Sequence, residues 1–413
     1  MDSAVKDGGL APEGDAKIDL VAAWAPVLSG IAAQLAADGS VAGRRIGIIL
    51  PIEPKTAYLA VMLADAGAEV ALAAPGALTR DDVAAAVAGR GVATFARSDS
   101  SPDDEERFYA EVLARRPEVV IDDRAELVRM AHTTHREALP TLIGASEETT
   151  TGVVKLRAMQ RAGALEVPCI AANDANCKHL FDNRYGTGQS SVTAILDSTN
   201  LQLAGKRVLV IGYGWVGKGV AARAAGLGAR VTVSEVNPFA ALEAIHEGYA
   251  VAPVREAAAR SDVVISATGV PSSLPAEAIE RLPDGALLAN AGAVDDEIDV
   301  AWLRRHSTAA REARPSVEEF VLPSGRSVYL VGDGKVVNLS AGEGHPVEIM
   351  DLTFAVQALS ARHLLLEGAG MAPGVHPVPE AVDRAVADAK LASLGVRLDQ
   401  LSQEQSEHFV TWQ

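Results

Sequence analysis

Short apolar runs alternate with stretches of helical spacing along most of the chain. Residues 46–50, 69–73, 92–96 and 119–121 read as buried strands, and residues 56–66, 81–88 and 105–114 between them read as helices. A helix over about 20–37 precedes the first strand, and the first dozen residues, with Gly8, Gly9, Pro12 and Gly14, read as a mobile arm. This alternation predicts a parallel sheet covered on both faces, with ligands beyond the carboxyl ends of its strands. Pro51, Glu53, Lys55 and Asp123 all follow such ends.

A second alternating unit spans 189–344. Its run 208–211 leads straight into Gly212-Tyr213-Gly214-Trp215-Val216-Gly217-Lys218-Gly219, and its next run, 231–234, is followed by Glu235. Gly212 and Gly214 let the turn approach a pyrophosphate, Gly217 lets the helix pack on the strand, and the helix start at Trp215 and Val216 attracts the anion. Glu235 is placed to accept hydrogen bonds from ribose hydroxyls, and a 2′-phosphate would meet its carboxylate. The expected cofactor is NAD, not NADP. Runs 263–269 and 286–292 end in small residues suited to a cofactor groove, and an apolar helix over 347–367 suggests a return to the first unit. The expected fold is α/β, two Rossmann-like doubly wound parallel-sheet domains with a cleft between them. Residues 1–188, completed by 345–396, would bind substrate, 189–344 would bind NAD, and 397–413 would form a short C-terminal tail.

Length and charge narrow the partners. A chain of 413 residues exceeds one ordinary core. Its net charge of −17 argues against nucleic acid or an anionic membrane surface, which need clustered Lys and Arg. Cys169 and Cys177 show no metal-ligand spacing and no disulfide framework, so no metal is expected. The start Met1-Asp2-Ser3 lacks a leader pattern and no apolar run reaches spanning length, which gives a cytoplasmic expectation.

Three further segments carry a resemblance. They are Ser146-Glu147-Glu148-Thr149-Thr150-Thr151-Gly152; Asn173-Asp174 with Lys178 and Phe181-Asp182-Asn183-Arg184-Tyr185-Gly186; and Val337-Asn338-Leu339 with Gly344-His345-Pro346. With the glycine turn and Glu247-Gly248-Tyr249 between them, nearly the whole chain resembles the S-adenosylhomocysteine hydrolase family. The resemblance implies that bound NAD+ oxidises a ribose 3′-hydroxyl, which acidifies C4′–H, lets the C5′ thioether leave and lets water add before the ketone is reduced again. It implies that Lys178 and Asp182 handle the 3′-hydroxyl proton and hold the sugar with Glu148, with a lysine pKa lowered into base range beside NAD+. It implies Asp123 as an acid near C5′, His345 at the hinge and base edge, and Thr149, Thr150, Thr151, Asn183, Glu235, Thr268, Gly292 and Asn338 around the cofactor, with Thr149 also beside the substrate. A homotetramer or homodimer is implied as well.

The chain departs from the family pattern at several places. The first-domain motif, His-x-Thr-x-Glu/Gln or His-x-Glu-x-Lys, is Pro51-Ile52-Glu53-Pro54-Lys55 here. Glu53 could accept from N1–H of a 6-oxopurine while Lys55 donates to O6, which predicts hypoxanthine or guanine over adenine; otherwise the two form a surface ion pair. Pro51 and Ala293 stand where the family has histidines, Thr187 where it has cysteine, Trp215 where the glycine turn has an acid, and Asp123-Arg124-Ala125-Glu126 where it has Asp-Gly-Gly-Asp. The end at Thr411-Trp412-Gln413 lacks a Lys and Tyr tail. Retained redox groups beside missing C5′ groups lead the expectation toward an NAD-dependent enzyme that oxidises a purine nucleoside or its 5′-derivative at C3′ and uses the ketone for elimination, addition or epimerisation. The alternatives are a true S-inosyl- or S-adenosylhomocysteine hydrolase and a catalytically degenerate binder of NAD and nucleoside.

Overall fold

The computed structural model of the chain describes residues 3–412. Its strands, in chain order, are β1 (Arg45–Ile49), β2 (Glu69–Ala73), β3 (Ala93–Phe95), β4 (Val119–Asp122), β5 (Gly144–Glu147), β6 (Pro168–Ala171), β7 (Arg207–Ile211) and β8 (Arg230–Ser234). They continue with β9 (Ala250–Val251), β10 (Val263–Ser266), β11 (Ala286–Asn290), β12 (Ala309–Arg314), β13 (Val317–Val321), β14 (Ser327–Val331) and β15 (Gly374–Pro377). Two sheets result. The first is a parallel sheet of order β15-β6-β5-β4-β1-β2-β3, and the second runs β12-β13-β14-β11-β10-β7-β8-β9. In the second sheet only the β12-β13-β14 edge is antiparallel. Helices cover both faces of each sheet, which is why β1, β4, β7 and β10 are continuous Val/Ile/Leu-rich runs without polar alternation.

The strand order places the site. It reverses between β1 and β4 in the first sheet and between β7 and β10 in the second, and ligands of open α/β sheets bind at such reversals. Pro51 and Glu53 follow β1, Asp123 follows β4, the glycine turn follows β7 and Thr268 follows β10.

Two expectations about the N-terminal region are corrected. Ala4 runs as an edge beside β3, its N–H donating to Thr94 O at 2.8 Å and its carbonyl accepting from Ala96 N at 3.0 Å, and a helix begins at Ala11. Of the expected mobile arm, Met1 and Asp2 lie outside the described residues. The single helix over 20–37 is two helices, Ala11–Trp24 and Pro26–Asp38, set at 94°. Pro26 disfavours helical geometry at Ala25. The second helix has no cap in its own sequence, and the buried Asp351 carboxylate supplies one by accepting from Leu28 N at 2.8 Å.

Asp351 belongs to the long helix Val347–Glu367, which packs on the first sheet, while β15 joins that sheet beside β6. By length and composition Val347–Gly370 could cross a membrane, contrary to the expectation that no run is long enough. Its apolar surface is committed to the core instead, with 72% of the relevant window buried. The last helix, Gln403–Val410, is exposed throughout.

Candidate functional site

A cavity of about 690 Å³ joins the two strand reversals. Its wall carries Lys178, Asp182 and Asn183 together with Pro51, Asp123 and Ala293.

The lysine side is built from β6 onward. After β6, a short turn, Asn176–Lys178, runs into a π-helix, His179–Gly186. The turn is capped from far away in sequence, since Asp383 accepts from Asn176 N at 2.8 Å and Cys177 N at 2.9 Å. A widened helix brings positions four and five residues on into line with one side chain. Lys178 Nζ accordingly donates to Asp182 Oδ1 at 2.9 Å and Asn183 Oδ1 at 2.7 Å, and pairs with Glu148 at 3.4 Å. Each partner is itself held: Asn183 Nδ2 donates to Asn173 Oδ1 (3.1 Å), Thr353 Oγ1 to Asp182 Oδ2 (2.9 Å), and Gln357 Nε2 to Glu148 Oε2 (2.6 Å). His345 Nε2 lies 2.8 Å from Thr187 Oγ1 and 3.9 Å from Asp182 Oδ1.

Burial and pairing divide these charges. Burial opposes the Lys178 charge, but Asp182 and Glu148 outweigh it and raise the lysine pKa. The expected lowering into base range is therefore absent in the protein alone, where two carboxylates face one ammonium. Burial pushes Glu148 up to about 7 despite Lys178, whereas Lys178 and His345 overcome burial at Asp182 and lower its pKa. Burial lowers the pKa of His345.

The side after β4 is held differently. Asp122 accepts from Leu127 N (3.2 Å) and Val128 N (2.9 Å), fixing the start of helix Glu126–His132. Buried Glu147 accepts from Arg124 N (3.0 Å), Ala125 N (2.9 Å) and Thr149 N (2.9 Å). Asp123, between them, has a buried Oδ1 with no hydrogen-bond partner, and burial raises its pKa. Glu53 caps helix Pro54–Asp65, accepting from Lys55 N at 3.1 Å and Thr56 N at 3.2 Å, and also pairs with the Lys55 ammonium. The Lys55 ammonium also donates to Glu343 O at 2.9 Å. The pair is buried, not the surface pair of the alternative expectation.

On the second sheet, Gly212 adopts φ +93°, and a Cβ on Gly217 would lie 2.0 Å from Gly212 O. The turn thus needs glycine at both positions. A Cβ on Gly214 would meet nothing within 4 Å, so this face, at the start of helix Trp215–Gly226, is open. Trp215 leans on His179 with ring centroids 4.9 Å apart, joining the turn to the π-helix. Glu235 accepts from Tyr213 N (2.6 Å) and Asn237 N (2.8 Å), which ties it to the glycine turn, and is not among the residues lining the cavity. Thr268 N donates to Glu297 at 2.8 Å and Gly269 N at 2.7 Å, while a Cβ on Gly292 would fall 1.8 Å from the same carboxylate. Asn338 donates to Ser190 Oγ at 3.0 Å, but its Oδ1 is buried on the wall without a partner. An open glycine face at a helix start and an orphaned amide oxygen fit a dinucleotide carrying phosphates and a hydrogen-bond donor.

Residues 2–140 match the sequence model of S-adenosyl-L-homocysteine hydrolase, and residues 183–344 match that of its NAD-binding domain. The chain is 44% identical to the S-inosyl-L-homocysteine hydrolase of Methanopyrus kandleri over 99% of its own length and 97% of the relative's. It is 45% identical to the adenosylhomocysteinase of Thermotoga maritima over 97% and 99% respectively. It belongs to the S-adenosyl-L-homocysteine hydrolase family. The adenosylhomocysteinase of Pyrococcus abyssi is 45% identical over 100% of this chain and 98% of that one. Among solved structures, the NAD+-bound 3-phosphoglycerate dehydrogenase of Entamoeba histolytica is 15% identical, with a TM-score of 0.45 over 80% of this chain and 98% of that one.

As in its family, NAD is the cofactor, and the site residues named from sequence fall into two groups. Lys178, Asp182, Glu148, Asp123, His345 and Glu53 share the cavity wall with Thr149, Thr150, Thr151, Asn183, Thr268, Asn338, Gly214, Trp215, Val216 and Gly292. Lys55, Glu235, Gly212 and Gly217 lie off it. Sequence reasoning missed Thr353, Gln357, Glu147, Glu297 and Asp383. A signal existed for the first two: Thr353, Gln357 and Asp351 are polar residues within the otherwise apolar stretch 350–358, and all are buried.

Proposed function

We propose that this protein is an NAD-dependent hydrolase of a purine-nucleoside homocysteine thioether. The observation that carries the reading is the junction of two unlike groups of side chains in one cavity: the Lys178 network and, elsewhere on the wall, the buried Asp123 carboxyl. Near-full-length relatives named as S-inosyl- and S-adenosylhomocysteine hydrolases favour thioether hydrolysis over a diverged use of the ketone.

NAD+, when bound, would supply a hydride acceptor for C3′ and a hydride donor for the later ketone. Lys178, Asp182 and Glu148 hold the ribose hydroxyls, and the network takes up the 3′-hydroxyl proton as C3′ is oxidised; the rise of Glu148 to about 7 lets it share that proton. With the ketone formed, Asp123 takes the C4′ proton and the C5′–S bond breaks with its electron pair on sulfur, leaving a C4′–C5′ double bond beside the ketone. Asp123, whose pKa is raised by burial, passes that proton to the departing thiolate, takes one from the water that adds at C5′ and delivers it to C4′, and the Lys178 network returns its proton to the 3′-oxygen when the ketone is reduced. Pro51 and Ala293 line the same cavity and can move no proton, so this work falls to Asp123.

Asn338 and the glycine turn would hold the cofactor, and His345 would bind at the hinge through Thr187. On the base side Glu53 is the acceptor. Its carboxylate can accept from N1–H of a 6-oxopurine or from the amino group of adenine. The discriminating donor, Lys55, is engaged with Glu343 O, so the reading extends to both bases and a 6-oxopurine preference requires Lys55 to exchange that carbonyl for O6.

The test is release of homocysteine from S-inosylhomocysteine and S-adenosylhomocysteine by the NAD-loaded protein, followed with a thiol reagent. Turnover of either at an ordinary enzymatic rate is expected. Transient NADH with no homocysteine from either would replace hydrolysis by another use of the ketone.

A further inference from the structure

Two consecutive residues beside Asp123, Arg124 (φ 59°) and Ala125 (φ 55°), occupy the left-handed region without being glycine. Side chains in this conformation are strained, and such strain persists only where the surroundings over-determine the backbone. They do so here. Arg124 N donates to Glu147 Oε1 (3.0 Å) and lies 3.1 Å from Thr149 Oγ1, Ala125 N donates to Glu147 Oε2 (2.9 Å), and Lys155 Nζ donates to Arg124 O (2.9 Å). The backbone is fully engaged, while the Arg124 guanidinium bears on Asp123 only through its charge. Among the described residues its guanidinium makes no hydrogen bond and no ion pair, although Asp123 is adjacent in sequence and Glu126 is paired instead with Lys155 and Arg129. Arg124 is half-buried on the cavity wall.

We propose that Arg124 is a specificity-determining residue that binds a carboxylate carried on the C5′ substituent of the nucleoside. Guanidinium presents a rigid fork of donors that matches a carboxylate in two parallel hydrogen bonds, and a fork on a fixed backbone loses little freedom in doing so. Asp123, the neighbour facing C5′, has an orphaned Oδ1 in the same cavity, so the substituent that Arg124 would grip lies where the thioether breaks. The inference rests on the proposed function for the location of C5′, and adds which part of the substrate this chain selects.

The experiment measures binding of a 3′-deoxynucleoside homocysteine thioether, which has no 3′-hydroxyl to oxidise, to the NAD-loaded protein by calorimetry, as the free amino acid and as its carboxamide. Wild type is expected to bind the acid about tenfold or more tightly than the amide, the range of one charge-assisted pair. R124G, which suits the positive φ and so keeps the fold, should bring that ratio close to one, and R124K should retain part of it. In turnover the R124G change should fall on KM rather than kcat. Equal binding of acid and amide by wild type, or an unchanged ratio in R124G, would overturn the assignment. The proposed 3′ chemistry is judged separately, by NADH absorbance when wild type meets inosine or adenosine, which carry no C5′ carboxylate.

Discussion

The two sides of the cavity differ in how their polar groups are satisfied. Around Lys178, each acid and amide has a partner already, from Asn173 through Asn183 to Asp182, Thr353, Glu148 and Gln357. Around Asp123, the backbone is pinned but the chemistry-bearing atoms are left open: Asp123 Oδ1 has no partner, and Pro51 and Ala293 supply none. A satisfied buried network is rigid and preorganised, while an orphaned buried acceptor waits for a group that the protein does not provide. On the proposed reading, oxidation at C3′ would be prepared by the fold, and chemistry at C5′ would be completed by the substrate.

Substitutions sharpen or break this contrast in order of size. Lys178→Ala should remove about two to four orders of magnitude from NADH formation with any nucleoside, with NAD content unchanged by extraction. Asp123→Asn should reduce homocysteine release by about two orders or more and leave nucleoside-driven NADH formation in place; equal loss of both signals would merge the two sides into one.

A smaller effect concerns stability. Burial raises Glu148 from its ordinary 4.5 to about 7, so the folded state holds its proton more tightly than the unfolded chain. Its contribution to stability is then present below about pH 4.5 and lost as pH rises through about 7. Asp122, raised to about 7 by burial, acts in the same direction. Glu148→Gln should flatten part of the fall in Tm across this window by a few degrees, read by thermal unfolding in buffers of matched ionic strength. The smallest change is expected from Pro51→His, which should alter homocysteine release by less than about tenfold if Asp123 already moves the proton. A larger gain would show that C5′ chemistry in the natural protein is limited by the absent histidine.

Much of the lysine side was legible because its chemistry is local in sequence. Lys178, Asp182 and Asn183 sit within one helical stretch, and the glycine turn lies between two obvious strands, β7 and β8. The supports of these residues come from distant segments and carry no such spacing: Asp383 caps the Lys178 turn, Gln357 holds Glu148, and Glu297 fixes Thr268. Lys55 shows the opposite failure. Two residues after Glu53 in an extended reading it faces a base, but Glu53 caps the next helix and draws the lysine to the 342–345 segment. The helix expected over 20–37 was read across Pro26, a residue that marks the break, whereas the docking of Ala4 beside β3 depends on an exposed sheet edge that only the fold reveals.

A rapid-mixing experiment tests the account most directly: NAD-loaded protein meets S-inosylhomocysteine or S-adenosylhomocysteine, with NADH absorbance and free thiol recorded together. The account predicts that NADH appears first, that homocysteine follows in amounts exceeding the protein, and that NADH then returns to baseline. Homocysteine released with no NADH signal, in wild type and in Lys178→Ala alike, would contradict it.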